Sequence, residues 1–489
     1  MNILFITSEF DPLTNIGGLG EVTSSLSKEL QGLGCNVKIV LPYYKAVKSN
    51  LQNLKIKPKS INKTITTCID WLAVSAKVKE VEVNGITCYL IDNKDYFDRN
   101  YIYSAYGYEL GDDDLRFGFF SLCALQLAKS LNFQPNIIHC HDWQTAFVPL
   151  FLKYRKHLKD DPFYKSSKVL FTIHNLYYQG EFREELLETF GLPDYLFTNQ
   201  NIELKGKVNL LKAAILFSDQ ITTVSETYAK EIINPEFGFG LDRVLRRASQ
   251  DSNKMHGILN GIDYNLHNPN YDKEIYKNYG LDSLENKQYN KTKLKEEFGL
   301  DTSEDKPLIA VISKLTDQRG IQLIIDSFSQ IIDLGYQLFI LGVGDSKYHK
   351  ALSHKTKKYK GNYCLILKQD DHTAAKIYAG ADMILMPSKF EPCGLGQMIA
   401  LRYGTIPVVR STGGLVDTVR DYSESNKPTG FTFKQFTKVN LLDTLIKAIT
   451  VYEHKNEWEK IIKNAMKEDY SWKVSAKKYL DLYEKTIKN

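Results

Sequence analysis

Ile406-Pro-Val-Val-Arg-Ser-Thr-Gly-Gly-Leu-Val-Asp-Thr418 is the stretch on which the reading of the fold turns. An apolar run of strand length, Ile406–Val409, leads into paired glycines at 413 and 414, and a helix start follows. Near the other end, Ile3–Thr7 leads into Asn15-Ile-Gly-Gly-Leu-Gly-Glu-Val22, which repeats the device. Glycines at a strand-to-helix turn lack a Cβ, so backbone N–H groups can approach an anion closely. The helix start adds about half a positive charge. In both copies an acid, Glu21 or Asp417, follows the leucine by two positions. One such turn is also an ordinary tight turn; a pair, one in each half, suits a diphosphate and a sugar held between two domains.

The chain between these turns alternates short apolar runs with helix-length amphipathic segments. Val37–Leu41, Ile137–Cys140, Val169–Ile173 and Ile221–Val224 are strand candidates in the first half. Ile258–Leu259, Leu308–Ile312, Leu338–Leu341, Cys364–Leu367 and Met383–Met386 extend the series into the second. They are rich in Ile, Val and Leu without clean alternation, as parallel strands buried on both faces are. Helices are expected over Leu19–Leu33, Gln322–Leu334 and Leu441–Tyr452. The pattern therefore predicts two doubly wound α/β domains, an expectation that 489 residues can accommodate. Boundaries are expected at 1–255, 256–465 and 466–489, with the polar stretch Asn268–Lys293 a surface insertion. The last segment carries Trp472, Ala476, Tyr479, Leu480 and Tyr483 at helical spacing, a stripe that needs a surface to bury it.

Composition narrows the function. Acids are interleaved with lysine, as in Lys295-Glu296-Glu297, and a formal net charge of +5 on 489 residues describes a solvated surface rather than a nucleic-acid footprint. Seven scattered cysteines without a C-x-x-C pair argue against zinc and disulfide frameworks and suit a reducing compartment. With no apolar stretch of membrane-spanning length and no basic leader, a cytoplasmic protein is expected.

Three further segments carry candidate chemistry. Ser388-Lys-Phe-Glu391-Pro-Cys393-Gly394-Leu395 places a carboxylate just past a parallel strand, where ligands of α/β sheets bind. His139-Cys-His141-Asp142-Trp143 could suggest a metal, but Asp142 turns away from the histidine face. A sugar suits it better, with Asp142 gripping hydroxyls and the Trp143 indole stacking on a ring; His174-Asn175 sits at a similar strand end. Ser313-Lys314-Leu-Thr-Asp-Gln-Arg319-Gly sets two cations five residues apart at a helix start, which suits a diphosphate.

Taken with Y-F-D-R at 96–99, H-D-W at 141–143, F-T-I-H-N-L at 171–176, L-N-G-I-D at 259–263 and L-G-V-G-D at 341–345, these segments resemble bacterial glycogen synthases and plant starch synthases. That family comprises retaining glycosyltransferases with the GT-B fold, two Rossmann-like domains facing a central cleft with a C-terminal helix crossing back to the first. The resemblance implies transfer of glucose from ADP-glucose to an α-1,4-glucan without a metal or other cofactor. It implies that Glu391, His174 and Asp142 act on the glucose. Donor binding would fall to Asn15, Gly17, Gly18, Lys314, Arg319, Ser388, Cys393, Gly394, Leu395, Thr412, Gly413 and Gly414, with Trp143, Asn175 and Asn260 lining the cleft. Neither nucleic acid nor membrane is an expected partner. Asn15 replaces the family's lysine, Lys314 and Arg319 exchange its cation types, and Gly396 stands where threonine is common. A second glutamate found in broader UDP- and GDP-sugar families is Ile399 here. Another donor such as UDP-glucose, or a catalytically weakened glucan-binding paralogue, are the alternatives.

Overall fold

The computed structural model describes residues 1–103, 111–251 and 253–488, and the chain divides into two compact units. Unit 1 comprises Met1–Val224, Ala229–Ile258 and Trp472–Asn489; unit 2 comprises Ser225–Tyr228 and Leu259–Ser471.

Unit 2 contains one six-stranded parallel sheet in the order Tyr363–Ile366, Gln337–Leu341, Leu308–Ile312, Met383–Met386, Ile406–Arg410, Phe431–Phe433. Numbered along the chain this is 3-2-1-4-5-6, the dinucleotide-fold order, whose direction reverses between Leu308–Ile312 and Met383–Met386. The strands are apolar on both faces because helices such as Ile321–Asp333 and Lys438–Glu453 accompany the sheet.

Unit 1 is built on a nine-stranded sheet in the order Met255–Gly257, Gln220–Thr223, Lys168–Ile173, Ile137–His141, Asn2–Ile6, Asn36–Pro42, Ile86–Asp92, Leu72–Val83, Lys59–Ile69. Its reversal point lies between Asn2–Ile6 and Ile137–His141. The last two strands run antiparallel to their neighbours, so this sheet is mixed. The antiparallel hairpin has the alternation that marks one covered face, with Ile65, Thr67, Ile69, Ala76 and Val78 buried and the residues between them mostly exposed.

Three expected boundaries shift. The strand placed at Ile258–Leu259 is Met255–Gly257, because its ladder pairs with Ile221–Thr223 and stops at Gly257. Most of the supposed insertion is integral. Residues Glu285–Glu297 form a helix whose Lys287 and Lys291 are buried, Lys291 pairing with Asp305 and Asp382 at 2.8 Å. The terminal segment joining unit 1 begins at Trp472 rather than 466, since Ile462 and Met466 of the preceding helix pack over Gly404 of unit 2. In the helix Trp472–Lys488, Leu482 is buried while the expected Leu480 is only partly so. No described helix is long and apolar enough to cross a membrane.

Candidate functional site

Each unit places its candidate residues where its sheet reverses. In unit 2, the loop after Leu308–Ile312 carries Lys314 and Arg319, and the loop after Met383–Met386 carries Ser388 to Leu395. The two loops are joined along their length. Lys389 N–H donates to the Gln318 carbonyl at 2.8 Å, Gly320 sits so close to the Pro387 carbonyl that a Cβ would strike it, and Lys389 pairs with Asp317. Arg319 is thereby brought onto Glu391, and their guanidinium and carboxylate form an ion pair. Ser388 Oγ donates to the same carboxylate oxygen at 3.1 Å. Glu391 is 2% exposed, so its charge is held by that pair and the hydroxyl rather than by solvent. Lys314 is exposed one strand-end away.

The Gly413–Gly414 turn packs directly on this carboxylate's backbone. Gly413 has φ +47°, and a Cβ there would run into the Glu391 carbonyl oxygen; one on Gly414 would run into that of Cys393. Gly414 N–H donates to the Glu391 carbonyl at 3.1 Å, and Leu415 N–H to that of Thr412, also at 3.1 Å. Glycine is therefore required twice over, by conformation and by close approach. Thr412 and Cys393 are buried beside it, Gly394 adopts φ +75°, and Leu395 is half-buried. Asp417 is bound to Ser225 Oγ (2.6 Å) and Thr227 Oγ1 (2.5 Å), which draws Ser225–Tyr228 into unit 2. Buried Ile399 offers only hydrocarbon at the position of the second glutamate noted above. At Gly396 a Cβ would stand 3.2 Å from the Tyr378 hydroxyl, a tight fit for a threonine. Asn260 is 4% exposed, and its Oδ1 has no partner among the described residues.

In unit 1, Gly18 (φ +97°) opens the helix Leu19–Gly32, and the side chain of Asn15 accepts the Gly18 N–H at 3.1 Å. Asn15 and Gly17 are exposed. Buried Glu9 accepts the Ile16 N–H at 2.6 Å and the Tyr103 hydroxyl at 2.7 Å, fixing the approach to the turn. Across the reversal point, Asp142 has φ +55° and ψ 176°, a conformation close to glycine's own territory. What holds it there is its carboxylate, which accepts the His174 N–H at 2.8 Å and also bonds the Asn175 N–H. Burial pushes the Asp142 carboxyl up to about 7, against the pull of those two N–H groups. His174 and Asn175 are half-buried beside it, and Asn175 Oδ1 accepts the Tyr177 N–H at 3.1 Å.

The role expected for Trp143 is corrected. The indole is 9% exposed, packed edge-on to Phe117 at 5.3 Å and against Phe182 at 5.6 Å. Gly180 lacks a Cβ and lies against the indole, where a Cβ would press into the ring. The indole is thus mostly taken up by core contacts with Phe117, Phe182 and Gly180 rather than laid open for stacking on a sugar. His139 and His141, weighed above as a metal pair, are fully buried and bonded to side chains: His139 to Thr172 and Tyr483, His141 to His174.

A family model described as the starch synthase catalytic domain matches residues 2–247, and one described as glycosyl transferases group 1 matches 292–467. The glycogen synthase of Geotalea uraniireducens is 43% identical over 484 residues, 99% of this chain and 98% of that one. The chain belongs to the glycogen and starch synthase family of glucosyltransferases. A second family member, the glycogen synthase of Thermotoga maritima, is 41% identical over 493 residues, 100% of this chain and 99% of its own. The catalytic domain of starch synthase IV from Arabidopsis thaliana, solved bound to ADP and acarbose, superposes with a TM-score of 0.90 at 33% identity, covering 100% of this chain and 99% of that one. The family's two Rossmann-like units of the GT-B fold are those described above.

The ion pair between Arg319 and Glu391 escaped the sequence reading, which gave the two residues separate duties. Glu9 and Tyr103 escaped it as well. Their only signal was an acid, Ser-Glu-Phe, at the end of the first strand.

Proposed function

We propose that the protein transfers glucose from ADP-glucose to the non-reducing end of an α-1,4-glucan, with retention and without a metal. The observation that carries this reading is the arrangement of Glu391, Arg319 and Ser388 against the Gly413–Gly414 turn at the reversal point of unit 2. A donor diphosphate takes Lys314 and Arg319 as its cations, beside the glycine turn. Arg319 then exchanges the Glu391 carboxylate for phosphate, and the carboxylate turns to the positive charge that develops on the glucosyl ring. The bond from the anomeric carbon to the phosphate oxygen breaks. The acceptor hydroxyl bonds to that carbon on the same face, and its proton passes to the departing phosphate. Within unit 1, Asp142, His174 and Asn175 offer a carboxyl, an imidazole and an amide suited to sugar hydroxyls. The seven cysteines, none of them in a disulfide, suit work in the cytoplasm.

The test is a donor panel with the full-length chain and glycogen as acceptor. Labelled glucose is expected to enter glycogen from ADP-glucose well above UDP-glucose, in α-1,4 linkage and undiminished by EDTA. Exclusive use of another donor would overturn the assignment. A second reading, a glucan-binding protein with weakened catalysis, is favoured by Asn15, whose side chain is engaged with Gly18 where a lysine would carry charge. It predicts maltooligosaccharide binding without turnover of any donor.

A further inference from the structure

Beneath the glucose-binding loops of unit 1 lie three histidines from two adjacent strands. His139 and His141 project from the same face of Ile137–His141, with ring centroids 4.1 Å apart, and Phe5 from the next strand packs against both. Each imidazole has a different set of partners. His139 is bonded through both nitrogens, Nε2 to Thr172 Oγ1 at 2.7 Å and Nδ1 to the Tyr483 hydroxyl at 2.7 Å. His141 uses Nδ1 alone, 3.1 Å from His174 Nε2, and its own Nε2 is buried with no partner among the described residues.

We infer that His141 is a positioning residue that fixes the tautomer of His174, so that His174 offers an Nδ1–H donor to the bound glucose. This rests on the function proposed above. The assignment follows from which nitrogen can bear an unpaired state. Two neutral imidazoles sharing one hydrogen bond need one donor and one acceptor. If His141 carried its proton on Nε2, a buried N–H would be left without an acceptor, the more costly and rarer of the two orphans. The proton therefore sits on His141 Nδ1 and is donated to His174 Nε2. With its Nε2 occupied as acceptor, His174 holds its own proton on Nδ1, which bonds no other described residue. Burial drives both rings far below the ordinary histidine range, His174 to about 3, so neither escapes the arrangement by becoming imidazolium near neutrality. Behind them, Tyr483 of the terminal helix bonds His139, the ring against which His141 lies. The chain's last helix thereby bears on a residue 309 positions earlier, His174, through two intervening rings.

The test measures glucose transfer from ADP-glucose for His141→Phe, His141→Asn and each of these combined with His174→Ala. Phenylalanine keeps a ring and removes the hydrogen bond, whereas the Asn amide nitrogen can replace Nδ1 as donor. His141→Phe is expected to lower kcat at least tenfold with little change in acceptor KM, and His141→Asn to recover most of that loss. In the His174→Ala background the same substitutions are expected to change kcat less than twofold, since the group they act through is gone. Equal losses for Phe and Asn, or a full tenfold loss that persists without His174, would overturn the inference in favour of plain packing. Thermal unfolding of each variant separates a folding failure, in which case the Asn variant alone decides. A wild-type chain that transfers glucose while His141→Phe matches it sinks only this inference; a wild-type chain with no transfer sinks the function it rests on.

Discussion

The two Gly-Gly-Leu turns share a sequence and differ in what demands their glycines. In unit 2, Gly413 and Gly414 lie against the carbonyls of Glu391 and Cys393, with no room for any side chain. That turn is part of the wall holding the Glu391 carboxylate, and its position is tied to the carboxylate's. In unit 1, Asn15 and Gly17 are exposed, Gly18 needs glycine because of its φ of +97°, and Asn15 itself accepts the N–H of Gly18. Motif identity therefore does not carry over to physical role. One turn is fixed by close packing against the Glu391 segment, and the other is a surface turn capped by Asn15.

The largest effect should come from the packed side. Glu391→Ala removes the partner of Arg319 and the carboxylate proposed to face the reacting sugar, and kcat should fall on the order of 10²–10³-fold. A labelled-glucose assay reads this directly, and activity equal to wild type would detach Glu391 from the chemistry. The exposed side offers the converse. Asn15→Lys exchanges a cap for a cation, and a charge-assisted contact of about 1.5–3 kcal/mol should raise kcat/KM for the donor roughly 10- to 100-fold. No gain would mean that Asn15 is not a lost phosphate ligand. The glycines then separate the turns by mechanism. Gly414→Ala should destabilise the chain by about 1–3 kcal/mol through overpacking and also raise the donor KM. Gly18→Ala should cost about 1–2 kcal/mol of backbone strain with the donor KM less affected. Chemical denaturation combined with donor titration distinguishes the two, and identical profiles would erase the contrast.

The smallest expected effect concerns Asp142. Its carboxyl is raised by burial to about 7, above the unfolded value of roughly 3.9, so the folded state holds its proton more tightly. That contribution to stability is complete below about pH 4 and is lost as pH rises through 7. Relative to wild type, Asp142→Asn should therefore gain on the order of 2–4 °C in Tm between pH 5 and pH 8. A pH-independent difference in Tm would show that Asp142 is already ionised throughout.

Much of the site was legible because parallel α/β sheets place ligands at the C-terminal ends of their strands. Reading Leu308–Ile312 and Met383–Met386 as strands was enough to put Arg319 and Glu391 on neighbouring loops. Their ion pair was not legible, since nothing local in a separation of 72 residues sets which side chains meet. Trp143 was misjudged for the same reason. A tryptophan after a strand suits a sugar in sequence, and only the glycine at 180, folded against its ring, makes it a core residue. The hairpin of Lys59–Ile69 and Leu72–Val83 alternates with period two, unlike the unbroken apolar runs that mark buried parallel strands, and so stands outside the pattern by which the other strands were legible.

The sequence by itself determined the family, the alternation that builds two Rossmann-like units, and the positions of the glycines and charges at strand ends. These are local properties, written in periodicity and in residues that only particular backbone angles tolerate. The tertiary structure alone decided which of two like turns presses on Glu391. It also brought Arg319 to that carboxylate, and Tyr483 from the last helix to His139. Such pairings depend on strand order and close packing, which join residues that the chain keeps far apart.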